Sequence, residues 1–180
     1  MTSDPDHSTG TATIAIAIEA DGWGGALTTP EALVARAARA ALTAACPELG
    51  AATVSLLLAD DRTVQDLNRE WRGKDMPTNV LSFPATDTSA GETPVAEFAG
   101  VPLELGDIAL GFETCAREAA AQGKPLAHHV EHLVVHGVLH LLGYDHVDEA
   151  DAERMEGLET RILGGLGVPD PYVEERLGDG

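Results

Sequence analysis

Residues 11–18, TATIAIAI, alternate β-branched side chains with small ones, and this period of two predicts a strand. The glycine-rich DGWGG that follows reads as a turn. Thr29-Pro30-Glu31 carries an N-cap residue and a first-turn proline, so the Ala-rich run to about Ala45 is a helix, ended by Pro47 and Gly50. ATVSLLL at 52–58 predicts a second strand. Asp60 or Asp61 caps the next helix, which runs to about Arg72 with Val64, Leu67 and Trp71 on one face. Gly73 to Thr78 is a loop, and NVLSF at 79–83 is a short strand stopped by Pro84. Residues 85–102, rich in Gly, Thr, Pro and acid, form a second loop. A strand follows at Leu105–Phe112, then helices at about 113–122, at Leu126–Leu142 and at about 149–163. Gly123 and Lys124-Pro125 separate the first two of these helices, and Gly143 ends the second.

The order β-α-β-α-β-β-α-α-α predicts an α/β (α+β) fold, a small mixed sheet of about four strands packed with about five helices. Residues 11–165 form one domain, between a polar, disordered stretch at 1–10 and a frayed tail at 166–180. Aromatic residues are only 4% of the chain, so the core is built from Ala, Val, Leu and Ile. No apolar run approaches the roughly 20 residues of a membrane span. The first residues, MTSDPDHSTGT, lack the basic and apolar regions of a signal peptide, so a cytoplasmic protein without a membrane partner is expected. Cys46 and Cys115 lie far apart with no CxxC spacing, and read as reduced thiols in or near the core.

The formal charge of -19 argues against nucleic-acid binding, because phosphates attract Lys and Arg. The charge is unevenly spread, however. Four of the eleven basic residues, Arg62, Arg69, Arg72 and Lys74, fall in one short stretch, so a local basic site on an acidic body is open.

The densest chemistry is HGVLHLLGYDH at 136–146. His136 and His140, four apart on a helix, share a face one turn apart, and both imidazoles can reach one ion at about 2.0–2.1 Å. His132 lies on that face too, but roughly 12 Å along the axis from His140, so these three do not share an ion. A glycine at 143 allows a left-handed residue that stops the helix and brings the chain back to His146. HxxxHxxGxxH thus has the parts of a three-histidine zinc site with an open fourth position. Asp145 or Asp148 is placed to hydrogen-bond the ring N–H groups. His128, His129 and His132 read as a partly exposed helix start or as supports behind the ligands. Zinc proteases of this spacing carry a Glu base directly after the first His; here the residue is Gly137, which disfavours a peptidase.

Segment 136–146 resembles the signature H-G-x-L-H-L-x-G-Y-D-H of the YbeY family of bacterial endoribonucleases. LNREWRGKDMPTNVLSFP at 67–84 is similar to that family's second block, and LGDI at 105–108 to a third. The resemblance covers about residues 50–165. It implies a zinc-hydrolase-like fold and a single-strand-specific, metal-dependent endoribonuclease. Its tasks would be ribosomal RNA processing, notably 16S 3′-end maturation, and ribosome quality control. Its partners would be rRNA and the ribosome or small-subunit proteins. The implied metal ligands are His136, His140 and His146, and the implied catalytic arginine is Arg72. A guanidinium there can hold a phosphate by two parallel hydrogen bonds, while Arg69 and Lys74 are candidates for neighbouring phosphates. The sequence leaves open whether an activated water or the ribose 2′-hydroxyl attacks, and offers Asp145 as a candidate base. Alternatives are a zinc peptidase-like hydrolase, a non-catalytic ribosome-assembly factor with structural zinc, and nickel or iron in the same cage.

Overall fold

The computed structural model describes residues 12–173. Its strands are β1 (Ala12–Ile18), β2 (Ala52–Ala59), β3 (Val80–Pro84) and β4 (Leu103–Gly111). The helices are α1 (Gly22–Ala26), α2 (Pro30–Ala45), α3 (Asp61–Arg72), α4 (Phe112–Ala121), α5 (Leu126–Leu141) and α6 (Glu149–Gly165). One four-stranded mixed sheet forms in the order β1-β2-β4-β3, with β1/β2 and β2/β4 parallel and β3 antiparallel to β4.

The alternation in β2 explains the layering. Ala52, Val54, Leu56 and Leu58 point into the large core with α2, α5 and α6, while Leu57 joins Val64, Leu67, Leu81, Phe83 and Ala109 in a smaller cluster under α3. Fully burying a Leu or Val contributes roughly 1.5–3 kcal/mol, so the large core dominates. Helix α5 runs through its centre, packed on α2, α4, α6, β3 and β4. It is buried nearly all round, and Arg36 of α2 closes an ion pair with its buried Glu131 at 3.3 Å. Such a helix is a rigid base for side chains projected from its one half-open line, His132, His136 and His140.

Three expectations need correction. The DGWGG turn is the short helix α1: Trp23 is fully buried, donates its indole N–H to the Ala59 carbonyl at 2.9 Å and meets Phe112 edge-on at 5.1 Å. Burying that indole outweighs the poor helix propensity of its glycines. The segment expected to fray after 165 is packed as far as it is described. Val168 is buried and its N–H donates to the Leu163 carbonyl at 2.9 Å, and the Tyr172 hydroxyl reaches Glu159. The stretch 1–10 and the last residues of the tail lie outside the described residues. The predicted face of α3 also runs out of the core: Val64 is buried, but Trp71 is 66% exposed. Among the described residues, no helix is long and apolar enough to cross a membrane.

Candidate metal centre and its cleft

Helix α5 ends in a Schellman turn. The Gly143 N–H donates to the His140 carbonyl at 3.1 Å, and the Tyr144 N–H to the Leu139 carbonyl at 3.0 Å. Gly143 has φ +92°, and a β-carbon there would overlap the Thr88 carbonyl. Only glycine allows both the reversal and the close passage of the 85–90 segment. The turn returns the chain so that His146 faces α5.

The three rings then converge. Ring centroids are 4.5 Å apart for His136 and His140, 5.2 Å for His140 and His146, and 5.7 Å for His136 and His146. One nitrogen from each lies within 4.8 Å of the others. Partner chemistry fixes two tautomers. His140 Nδ1 is 2.9 Å from the Tyr144 carbonyl oxygen, and His136 Nδ1 is 3.3 Å from Glu159 Oε1. A carbonyl and a carboxylate only accept, so both Nδ1 atoms carry the proton, and in the neutral rings both Nε2 atoms are bare. Those two Nε2 atoms lie 3.0 Å apart. Two lone pairs facing at that distance repel unless a cation sits between them. Tetrahedral ligands about 2.0–2.1 Å from one ion would be about 3.4 Å apart. The donor set therefore fits zinc. Burial, and then the facing His136 and His146 rings, push the His140 pKa below the ordinary histidine range, which favours the neutral, ligating form.

The centre opens into a cleft of about 590 Å³, whose walls include Arg72, Ser82, Pro84, Thr86, Asp145 and the three histidines. Arg72 is the last residue of α3, where Gly73 with φ 70° ends the helix. Its guanidinium donates to the Ser82 carbonyl and lies over the Phe83 ring, 5.3 Å from the centroid. These contacts hold it at the cleft wall.

Of the other candidate residues, Asp145 alone lines the cleft. Asp145 accepts from its neighbour's backbone N–H (His146, 2.7 Å), while His146 Nδ1 is 4.0 Å from its carboxylate, too far for a hydrogen bond. Asp148 caps α6 by accepting from Asp151 N–H at 2.8 Å. Arg69 pairs with Asp66 at 2.9 Å and Asp75 at 3.3 Å; neither it nor Lys74 lines the cleft. His129 is buried beside Glu118, with 2.9 Å between Nε2 and Oε1. His132 Nε2 lies 2.7 Å from Glu159 Oε2.

Glu159 is the residue that sequence reasoning missed. It is fully buried on α6 and supports both His132 and His136. Burial raises a carboxyl pKa, but the hydrogen bonds from His132 and His136 outweigh it and hold Glu159 down to about 2. A signal existed: Glu159 shares the helix face of Met155, Leu158 and Ile162, where a charge has no place without a partner. Gly137 is explained as well. A β-carbon there would lie 3.1 Å from Ile108 of β4 and from Ser82 Oγ of β3. A protease-type glutamate at that position would press on the Ile108 and Ser82 side chains.

The fold and this cleft define an α/β protein with a candidate three-histidine metal centre beside an arginine. The family model described as Endoribonuclease YbeY matches residues 26–167. The chain is 54% identical over 162 residues to the Endoribonuclease YbeY of Paramagnetospirillum magneticum, covering 90% of this chain and 96% of that one. To the same-named protein of Ruegeria pomeroyi it is 58% identical over 135 residues, 72% of this chain and 80% of the other. The chain belongs to the YbeY endoribonuclease family. The solution structure of TM1509 from Thermotoga maritima shares the fold, with a TM-score of 0.56 and 22% identity over 92% of this chain and 93% of that one.

Proposed function

We propose that this protein is a zinc-dependent endoribonuclease that cuts single-stranded RNA, with His136, His140 and His146 as metal ligands and Arg72 as the catalytic arginine. The observation that carries this reading is the pair of Nε2 atoms 3.0 Å apart, bare in the neutral rings, in the same cleft as Arg72. The relatives in Paramagnetospirillum magneticum and Ruegeria pomeroyi are named endoribonucleases, and this supplies the reaction class. Bound zinc supplies Lewis acidity and lowers the pKa of water towards 7.

The chain's own groups do the rest. The Glu159 carboxylate and the Tyr144 carbonyl hold the protons of His136 and His140 on Nδ1, away from the cleft. The Arg72 guanidinium binds the scissile phosphate and neutralises charge growing on its non-bridging oxygens. The substrate is ribosomal RNA, at the 3′ end of 16S rRNA and in defective ribosomes, and the setting is the cytoplasm. An acidic body of charge -19 repels free RNA. Ribosomal small-subunit proteins, being basic, offset that repulsion and bring the cleft to its substrate.

The test is cleavage of a defined single-stranded RNA by wild type, His140→Ala and Arg72→Ala, with and without chelator. Wild-type cutting is expected to stop with chelator and return with zinc, and both variants to be impaired. Undiminished cutting by His140→Ala would contradict the reading.

A further inference from the structure

Glu159 sits at the junction of three parts of the chain. Its Oε2 faces His132 Nε2 at 2.7 Å and accepts from the Tyr172 hydroxyl at 3.0 Å; its Oε1 faces His136 Nδ1 at 3.3 Å. The ring of Tyr172 also packs edge-on against His132, with centroids 5.5 Å apart. Glu159 itself is fully shielded from solvent, and His132, His136 and Tyr172 around it are half-buried.

We propose that Glu159 is the positioning residue of the metal centre, holding His136 in the tautomer that turns a bare Nε2 towards His140, and that Tyr172 and His132 lock Glu159 in place. The inference rests on His136, His140 and His146 being the metal ligands. It makes the segment after α6 part of the centre, although that segment contributes no ligand.

Two observations exclude a passive role. First, the ionised Glu159 carboxylate only accepts, so each of its three contacts places a proton on the partner. Second, His132 has no slack. With Nε2–H donating to Glu159, its Nδ1 is a bare acceptor, and that atom is buried without a hydrogen-bond partner. If His132 flipped its proton, it would bury an unsatisfied N–H instead. His132, His136 and Glu159 also form a group of possible metal ligands. At 2.7 Å the His132–Glu159 contact has the length of a charge-assisted N–H···O hydrogen bond, and the proposal takes it as one.

Glu159→Gln tests this with little change of shape. Its amide NH₂ must face either His136 or the His132–Tyr172 pair. The first orientation drives the His136 proton onto Nε2 and blocks ligation; the second buries His132 Nδ1–H without an acceptor. Histidine-ring ¹⁵N–¹H correlation spectra of the metal-free full-length chain read the tautomer directly. Zinc affinity is read by competition with a chelator of known strength.

Wild type is expected to show His136 protonated at Nδ1 alone. Glu159→Gln is expected to show a tautomer mixture and zinc binding weakened about 10- to 100-fold. Tyr172→Phe, which removes one hydroxyl, is expected to move both readouts in the same direction by less. An unchanged His136 tautomer with unchanged zinc affinity in Glu159→Gln overturns the proposal. Should that variant fail to fold, the same null result in Tyr172→Phe overturns it. A different outcome separates the underlying reading: if His146→Ala binds zinc as tightly as wild type, the three-histidine assignment fails, whereas the metal-free tautomer still decides the role of Glu159.

Discussion

Replacing Gly143 with Ala should damage both stability and the metal centre, because one residue performs two tasks. With φ +92°, an alanine at 143 must occupy the left-handed region, which costs about 1–2 kcal/mol. Its β-carbon would also sit 2.7 Å from the Thr88 carbonyl carbon and 3.0 Å from that of Ser89. Backbone cannot rotate away as a side chain can, so the 85–90 segment or the turn must shift, at about 1–3 kcal/mol for overpacking. The total is about 2–5 kcal/mol, or a fall in Tm of about 4–20 °C for a domain of this size. Gly123 provides the control: its φ is 65°, with nothing within 4 Å of a β-carbon, so Gly123→Ala isolates the backbone term. Urea unfolding followed by circular dichroism measures both variants. The shift at 143 also displaces the Tyr144 carbonyl that fixes His140, and with it His146, so zinc affinity should fall in Gly143→Ala alone. Equal destabilisation by the two variants, or wild-type zinc affinity in Gly143→Ala, would refute the reasoning.

Arg72→Ala should lower the cleavage rate about 100- to 1000-fold with little loss of stability, and Arg72→Lys should recover only part of it, because an ammonium lacks the planar fork; single-turnover kinetics with saturating enzyme decides this. Cys115, whose thiol is pushed up to about 12 by burial and then by the nearby Glu118 and Asp61 charges, should resist thiol reagents at pH 8 until the protein unfolds. The raised value also predicts alkaline instability: between the unfolded thiol's pKa of about 8.5 and the folded value, only the unfolded state ionises. Stability should therefore fall by about 2 kcal/mol from pH 8 to 10, and by less in Cys115→Ala measured by urea titration. Asp60 caps α3 by accepting from Thr63 N–H at 2.8 Å, so Asp60→Ala should cost about 1 kcal/mol in the same titration and leave zinc affinity unchanged.

The convergence of His136, His140 and His146 was legible because its logic is local. A spacing of four on a helix, a glycine and a returning histidine all fall within eleven residues, and short-range geometry brings the rings together. The strands and main helices were legible for the same reason, through period and caps. What stayed hidden depends on contacts distant in sequence. The helical state of Gly22–Ala26 comes from Trp23 reaching Ala59, 36 residues on. The order of the strands, with β4 inserted between β2 and β3, leaves no trace in local periodicity. Glu159 lies 23 residues beyond His136, in a helix already rich in acid, and only its place on the apolar face sets it apart. Asp145 and Asp148 looked better placed in sequence, but the turn spends them on backbone N–H groups. Arg69 shows the opposite failure: a basic residue near the arginine of interest, already neutralised by Asp66 and Asp75.

X-ray absorption at the zinc edge of the purified protein tests the metal centre most directly. The predicted result is one zinc with three imidazole nitrogens and one oxygen, each at about 2.0–2.1 Å, and loss of that signal in His140→Ala. A fourth protein ligand closing the coordination sphere, or an unchanged spectrum in the variant, would contradict it.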